Sequence, residues 1–264
     1  METIIQQPRW YDRLAAAYIF FTRLPFWRIY QPPQASYQSV VEYWPLTGWL
    51  TAGIMAAVLF FGSWVMPYSI AVLAAIIARL LLTGALHEDG LADFFDGFGG
   101  GGSDRQRVLA IMKDSHIGTY GVLALIGYMA LLFSALYSMP PYYAALTILA
   151  ADPFAKMLAS ELVMMLPYAR TAQEAKSGTV YRRMTMTATV GLAFQGLLPI
   201  GLYCYFMHNL IDWQMAVFLP AIAMYFLYYF IWRRLKGYTG DCCGAVFLLT
   251  ELAVYLVACY YIGN

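Results

Sequence analysis

The sequence has 264 residues, of which 61% are hydrophobic and only 12% are charged, and its mean hydropathy is +0.59. About a quarter of the residues in a soluble domain are charged, so this composition excludes a water-soluble fold and indicates a protein of the lipid bilayer. The net charge of +1 leaves no positive excess for binding nucleic acid. The four cysteines have no CxxC spacing, which predicts free thiols rather than disulfides or a cysteine metal site.

The N-terminal region shows no pattern of a cleavable signal peptide, because its first residues are polar. The apolar stretch that follows, residues 11–26, is too short to cross a bilayer. Its apolar residues lie between Arg13 and Arg23, which suits a helix lying in the membrane interface. We therefore predict an N-terminal interfacial helix in this stretch.

A helix needs about 20 apolar residues to cross the hydrocarbon core. Seven later segments meet or approach this length and are the predicted spans: residues 45–66, 69–86, 119–139, 142–166, 185–207, 213–232 and 244–262. No linker separates them. The sequence therefore predicts an all-α polytopic membrane helical bundle of about seven spans, with residues 1–264 forming a single domain.

Several ionisable residues fall inside these spans: Arg79, Asp152, Lys156, Glu161 and Glu251. Such residues are costly in a bilayer and normally face the interior of the bundle, so Asp152, Lys156 and Glu251 are candidate functional residues. Asp152 and Lys156 are four residues apart, and the alternative for them is a mutually neutralising structural pair.

Basic residues are concentrated on alternate connections of the chain. They lie in the N-terminal region and in residues 87–118, 167–184 and 233–243, and none falls in the short turns between. The positive-inside rule therefore places the N-terminus and the three long loops in the cytoplasm.

The longest polar loop contains DGLADFFD, whose aspartates Asp89, Asp93 and Asp96 have the spacing i, i+4, i+7. On a helix this spacing puts them on one face. Three neighbouring carboxylates repel one another unless a cation lies between them, and oxygen ligands suit Mg²⁺ or Mn²⁺, which also hold substrate phosphates. We predict a metal site and phosphoryl chemistry here; the alternative is a solvated acidic face.

The rest of the loop offers groups that bind phosphate. Arg105, Arg107 and Lys113 would neutralise phosphate oxygens, although topology alone also places basic residues here. The glycines at 97 and 99–102 would either admit a phosphate to backbone amides or act as a flexible hinge.

Two other polar residues lie at the same face of the membrane. His87 would act as a base, as a ligand or as a polar anchor at the headgroups. Asp241, in GYTGDCCGA, opens the seventh predicted span. It would serve either as the N-cap of that helix or as a fourth carboxylate near the acidic loop, and we favour the second.

The motifs HEDGLADFFDGFGGG and IMKDSHIGTYG, with FFTRLPF and YWPLTGWL before them and YAR and TGDCCGA after, resemble those of the cobalamin synthase family. The match runs in the same order from about residue 20 to 255. The resemblance implies an adenosylcobinamide-GDP ribazoletransferase in a bacterial or archaeal cytoplasmic (inner) membrane, with its active site facing the cytoplasm. Such an enzyme requires Mg²⁺ and joins adenosylcobinamide-GDP to α-ribazole or its 5′-phosphate, releasing GMP. Formation of a homo-oligomer is left open.

Carried over by position, the resemblance implies a metal-binding core of Asp89, Asp93 and Asp96. The residues predicted to act in catalysis are Asp96, Asp241 and Lys113. Those predicted to bind substrate are His87, Arg105, Arg107, Asp114 and Arg170. His116 and Lys156 stand where the family usually has arginine, and neither reproduces the bidentate fork of that side chain.

Two rival functions remain open from the sequence. The DGxxA start of the acidic motif echoes the DGxxAR signature of CDP-alcohol phosphotransferases, which would release CMP. An ion-coupled transporter would use Asp152, Lys156 and Glu251 as a relay, but it leaves the acidic loop unexplained.

Overall fold

The computed structural model describes residues 8–170 and 180–263. Ten α-helices form in these ranges: α1 (Trp10–Phe21), α2 (Trp44–Val65), α3 (Tyr68–Thr83), α4 (Leu86–Gly100), α5 (Arg105–Lys113), α6 (Thr119–Ser138), α7 (Pro141–Met165), α8 (Met186–Phe206), α9 (Trp213–Leu235) and α10 (Gly240–Ile262). The described residues contain no strand, only an isolated bridge between Tyr168 and Tyr238. The predicted all-α fold is confirmed.

Five of the ten described α-helices have the length and composition of membrane spans. Helices α2, α6, α8, α9 and α10 are each long and apolar enough to cross a bilayer, so the protein is an integral membrane protein. Helix α3 has only 16 residues, and Asp152, Lys156 and Glu161 make α7 less apolar than a typical span. The predicted count of seven spans is therefore not confirmed. Likewise, α1 lies where the interfacial helix is predicted, while its place in the interface stays a prediction.

The junction between α3 and α4 bends the chain by 89°. Gly84 and Ala85 both have left-handed backbone, with φ of 66° and 55°, and this ends α3. Arg23 reinforces the turn: its backbone N–H donates to the carbonyl of Leu82 at 2.7 Å, and its side chain fills the place where a Cβ of Gly84 would stand. The predicted acidic loop is thus two helices, α4 and α5, and α4 packs against α6 and α10.

The centre of the bundle is formed by α7 and α10, whose residues are buried along most of their length. Small residues allow close approach: a Cβ on Gly48 of α2 would stand 3.1 Å from the Cα of Pro153 in α7. Such small-residue contacts are typical of helix packing in membranes.

Buried charges in this core are paired. Arg79 Nη1 donates to both carboxylate oxygens of Glu251 at 2.8 and 2.7 Å, and Tyr128 and Tyr255 add hydrogen bonds to the group. Lys156 Nζ lies 2.7 Å from Asp152 Oδ1. The structural-pair alternative for Asp152 and Lys156 is therefore the one that the structure supports.

Candidate active site

A cavity of about 250 Å³ lies where α1, α2, α4 and α10 meet the connection between α7 and α8. We call it the central cavity. Its walls include four of the residues predicted from the sequence: His87, Asp89, Arg170 and Asp241. They come from three separate parts of the chain, and the fold brings them to one end of the bundle.

Two glycines bring α4 and α10 into contact at this cavity. A Cβ on Gly90 would stand 3.1 Å from the Cα of Asp241, and a Cβ on Gly244 would stand 3.2 Å from the carbonyl oxygen of His87. The two backbones therefore touch at these positions. This contact places Asp89 on one helix and Asp241 on the other beside the same space.

Asp241 lines the central cavity at the start of α10. The N-cap is Thr239, whose Oγ1 accepts from the Cys242 N–H at 3.3 Å and donates to Asp241 Oδ2 at 3.4 Å. The N-cap alternative for Asp241 is thus wrong. In the first turn of α10, its negative charge is favoured by the helix dipole.

Arg170 is positioned by a short backbone pairing. The Ala169 N–H donates to the Tyr238 carbonyl at 2.8 Å, and the Tyr238 N–H donates to the Pro167 carbonyl at 2.9 Å. Arg170 Nη2 in turn donates to the carbonyl of Leu109 in α5 at 3.0 Å. The guanidinium is therefore held between the central cavity and α5.

A second cleft, of about 660 Å³, lies on the other side of Arg170. We call it the basic cleft, because Arg105, Lys113 and Arg170 all line it. Arg105 is partly committed to structure, since its Nε donates to the Leu235 carbonyl at 2.7 Å and its Nη2 to the Ala169 carbonyl at 2.6 Å. Arg107 is exposed on α5 and lines neither the cavity nor the cleft.

A third cavity, of about 650 Å³, adjoins Asp89 on its other side and is bordered by Arg23, Trp27 and Glu88. Asp89 lines both the third and the central cavity, as Arg170 lines both the central cavity and the basic cleft. An acidic residue and a basic residue thus flank the central cavity.

The three aspartates of α4 lie on one helix as predicted, but their surroundings differ. Asp89 is exposed, Asp93 is half-buried and Asp96 is only 7% exposed. The oxygens of Asp96 accept from the backbone N–H groups of Gly118 and Gly121 at 2.7 and 2.8 Å, which anchors the start of α6.

The three carboxylates of α4 are not gathered into one cluster in the described ranges. No three His, Cys, Asp or Glu side chains in the described ranges are placed to hold a metal ion together, because Asp96 turns to the amides of α6. Mg²⁺ needs only one or two carboxylates when water and phosphate complete its shell. Asp89, exposed in the cavity wall, supplies one such carboxylate, and Asp93 lies one turn further along α4. The metal and catalytic roles of these residues stay predictions.

The end of α5 carries the second predicted motif. Lys113 lines the basic cleft, whereas Asp114 lines none of the three spaces. Asp114 Oδ1 lies 2.7 Å from His116 Nδ1 on the exposed surface. This hydrogen bond raises the pKa of His116 and lowers the pKa of Asp114.

The glycines after Asp96 have a packing role that neither sequence alternative anticipates. Gly97 lies inside α4, where a Cβ would meet Met112 of α5 at 2.3 Å, and a Cβ on Gly99 would meet Tyr120 of α6 at 2.6 Å. They allow α5 and the start of α6 to pack directly on α4.

Aromatic side chains form the buried wall of the central cavity, and sequence reasoning missed them. Phe21, Trp44 and Tyr181 all line it. The first two lie in FFTRLPF and YWPLTGWL, so those motifs contained the only available signal. Burial raises the pKa of the Tyr168 and Tyr181 phenols, which favours their neutral, hydrogen-bond-donating form.

A bundle of membrane helices with acidic, basic and aromatic cavities at one end has the architecture of an integral membrane enzyme. The chain belongs to the cobalamin-5-phosphate synthase family, whose model matches residues 13–259. It is therefore a transferase of cobalamin biosynthesis.

Three curated relatives, all named adenosylcobinamide-GDP ribazoletransferase, illustrate the similarity. The protein of Leptospira interrogans is 33% identical over 254 residues, 95% of each chain. That of Leptothrix cholodnii is 36% identical over 249 residues, 90% of each chain. That of Vibrio parahaemolyticus is 33% identical over 250 residues, 93% of this chain and 91% of its own. No solved structure matches the chain.

Proposed function

We propose that the protein transfers the adenosylcobinamide-phosphate group from adenosylcobinamide-GDP to α-ribazole or its 5′-phosphate, with release of GMP and dependence on Mg²⁺. The observation that carries this proposal is the central cavity, where Asp89 and Asp241 from touching helices lie beside Arg170, which also lines a basic cleft. The names of the relatives support the choice of donor and acceptor.

We place the enzyme in the cytoplasmic (inner) membrane with this site facing the cytoplasm. The support is the distribution of basic residues, because the connections that build the site, around α4 and α5, before α8 and before α10, are the ones rich in Lys and Arg. A cytoplasmic site would meet a GDP-activated substrate directly.

In the proposed reaction, a ribose hydroxyl of the acceptor forms a bond to the phosphorus nearest the corrinoid. The bond from that phosphorus to the bridging oxygen breaks, and GMP leaves with the electron pair. Mg²⁺, held by Asp89 and Asp93, would neutralise the diphosphate and polarise the reacting phosphorus.

The remaining steps fall to side chains of the chain itself. Arg170 and Lys113 hold the phosphate oxygens and stabilise the charge that develops on the departing GMP. Asp241 takes the proton of the attacking hydroxyl as general base. Asp96, with its oxygens bonded to the amides of α6, fixes α4 against α6.

The test is a turnover assay with purified protein, adenosylcobinamide-GDP, α-ribazole and Mg²⁺, measuring GMP and the completed corrinoid. We expect Asp89→Asn to lower turnover by at least about 100-fold, because a ligand of the Mg²⁺ that would hold the reacting diphosphate is lost. EDTA should abolish turnover of the parent protein, and excess Mg²⁺ should restore it.

Asp212→Asn is the matched control, since Asp212 is an exposed N-cap of α9 and asparagine caps helices equally well. Normal turnover by Asp89→Asn would contradict the proposal. So would release of CMP from a CDP-alcohol, with no GMP from adenosylcobinamide-GDP.

A further inference from the structure

Three rings are stacked in the buried wall of the central cavity. The Phe21 and Trp44 ring centroids are 5.1 Å apart at 10°, and those of Trp44 and His87 are 5.7 Å apart at 21°. Phe247 meets His87 edge-on at 4.8 Å. We call the three stacked rings of Phe21, Trp44 and His87 the aromatic wall. Their side chains are buried, whereas Asp89 is exposed and Asp241 half-exposed.

Two polar atoms of the aromatic wall have no hydrogen-bond partner. They are Trp44 Nε1 and His87 Nε2, in side chains that are 2% and 4% exposed. Buried polar groups are nearly always hydrogen-bonded, and an unpaired one is costly. By contrast, Arg79 and Glu251 in the buried core bond to each other and to Tyr128 and Tyr255.

These features describe the ligand that would complete the site. Aromatic neighbours favour a flat ring. The indole of Trp44 only donates, so it requires an acceptor, whereas His87 Nε2 either donates or accepts. A benzimidazole linked to ribose through one ring nitrogen is flat, largely apolar and has a single acceptor nitrogen, while guanine needs partners for a carbonyl, an N–H and an amino group.

We infer that the aromatic wall binds the base of the benzimidazole nucleoside acceptor, with Trp44 Nε1–H donating to the free ring nitrogen. His87 Nε2 then meets a hydroxyl of the attached ribose. This arrangement points the rest of the ribose away from the buried wall, toward Asp241 and Asp89. The guanine nucleotide then binds in the basic cleft. This inference rests on the proposed function, because it takes its acceptor from there.

The test measures binding of α-ribazole alone, without Mg²⁺ or corrinoid, by titration calorimetry of the full protein in nanodiscs. Trp44→Phe keeps an aromatic ring, although a smaller one, and removes the N–H, so we expect about 3- to 10-fold weaker binding. Trp49→Phe is the matched control on the same helix: Trp49 is half-exposed and its Nε1 donates to the Gln195 carbonyl. Its affinity for α-ribazole should equal that of the parent protein.

A change in the ligand completes the test. Indole riboside, which lacks the acceptor nitrogen, should bind the parent protein about 3- to 10-fold more weakly than α-ribazole. Trp44→Phe should bind the two nucleosides equally. If the variant fails to fold, the comparison of the two nucleosides on the parent protein still decides whether the ring nitrogen is recognised.

Equal binding of α-ribazole by Trp44→Phe and the parent protein would overturn the inference, as would a loss of GMP binding in that variant with α-ribazole unaffected. The latter result would place guanine at the wall. The outcome is separable from the proposed function, because binding requires neither turnover nor metal. If the protein released no GMP but still bound α-ribazole in a way that depends on Trp44, the proposed reaction would be wrong and the proposed binding site for the base would stand.

Discussion

Helix α10 carries two acidic residues in opposite settings. Glu251, in the middle of the helix, has both oxygens bonded to Arg79, with Tyr255 adding a further hydrogen bond. Asp241, ten residues earlier and so about 15 Å away, lines the central cavity beside touching glycine backbones. A carboxylate in a membrane helix is therefore not by itself a functional signal. Its location, in the buried core or in the wall of a cavity, indicates whether it stabilises the fold or faces a ligand.

The largest effect on turnover should come from substitution of Asp241, the acid that lines the cavity. Asp241→Asn keeps the size of the side chain and removes the proposed general base, so we expect turnover to fall about 10²- to 10⁴-fold. The free energy of unfolding should fall by no more than about 1 kcal/mol, the contribution of a charge at a helix N-terminus. Turnover and unfolding are measured on the same preparation; a variant that stays active, or one that is strongly destabilised, contradicts the contrast between the two acids.

Loss of the cation paired with Glu251, the acid in the core, should instead lower stability. Arg79→Met leaves the buried Glu251 carboxylate without its cation, which typically costs about 3–5 kcal/mol of stability. Denaturant titration of the purified protein in bicelles measures this loss, and the double variant Arg79→Met with Glu251→Met should recover most of it. A single variant as stable as the parent protein would show that the pair is not structural.

Local patterns in the sequence predicted much of this molecule. Runs of apolar residues predicted α2, α6, α8, α9 and α10 because span length depends only on nearby composition. The spacing of Asp89, Asp93 and Asp96 predicted one helical face for the same reason. Four predicted site residues, His87, Asp89, Arg170 and Asp241, do line one cavity.

Features that depend on distant contacts were not predictable. The 89° bend after α3 involves Arg23, about 60 residues earlier in the sequence, whose backbone pairs with Leu82. Asp96 binds amides more than 20 residues further along, at Gly118 and Gly121, which a helical-face argument misses. The unpaired nitrogens of Trp44 and His87 are visible only once the surrounding atoms are placed.

A smaller effect should separate the two sides of the central cavity. Arg170→Lys keeps the charge but loses the planar fork and the bond to the Leu109 carbonyl. We expect KM for adenosylcobinamide-GDP to rise about 5- to 10-fold, with KM for α-ribazole unchanged, because the proposed site puts the diphosphate on the basic side and the nucleoside on the aromatic side.

Initial rates with each substrate varied in turn measure both constants for Arg170→Lys. Arg233→Lys serves as control, since Arg233 is exposed on α9 and its Nη1 donates to the hydroxyl of Tyr229 in the same helix. Arg107→Lys distinguishes the basic cleft from the outer face of α5. If Arg107→Lys raises the donor KM and Arg170→Lys does not, the phosphates bind along that outer face, and the division of the cavity into donor and acceptor sides is wrong.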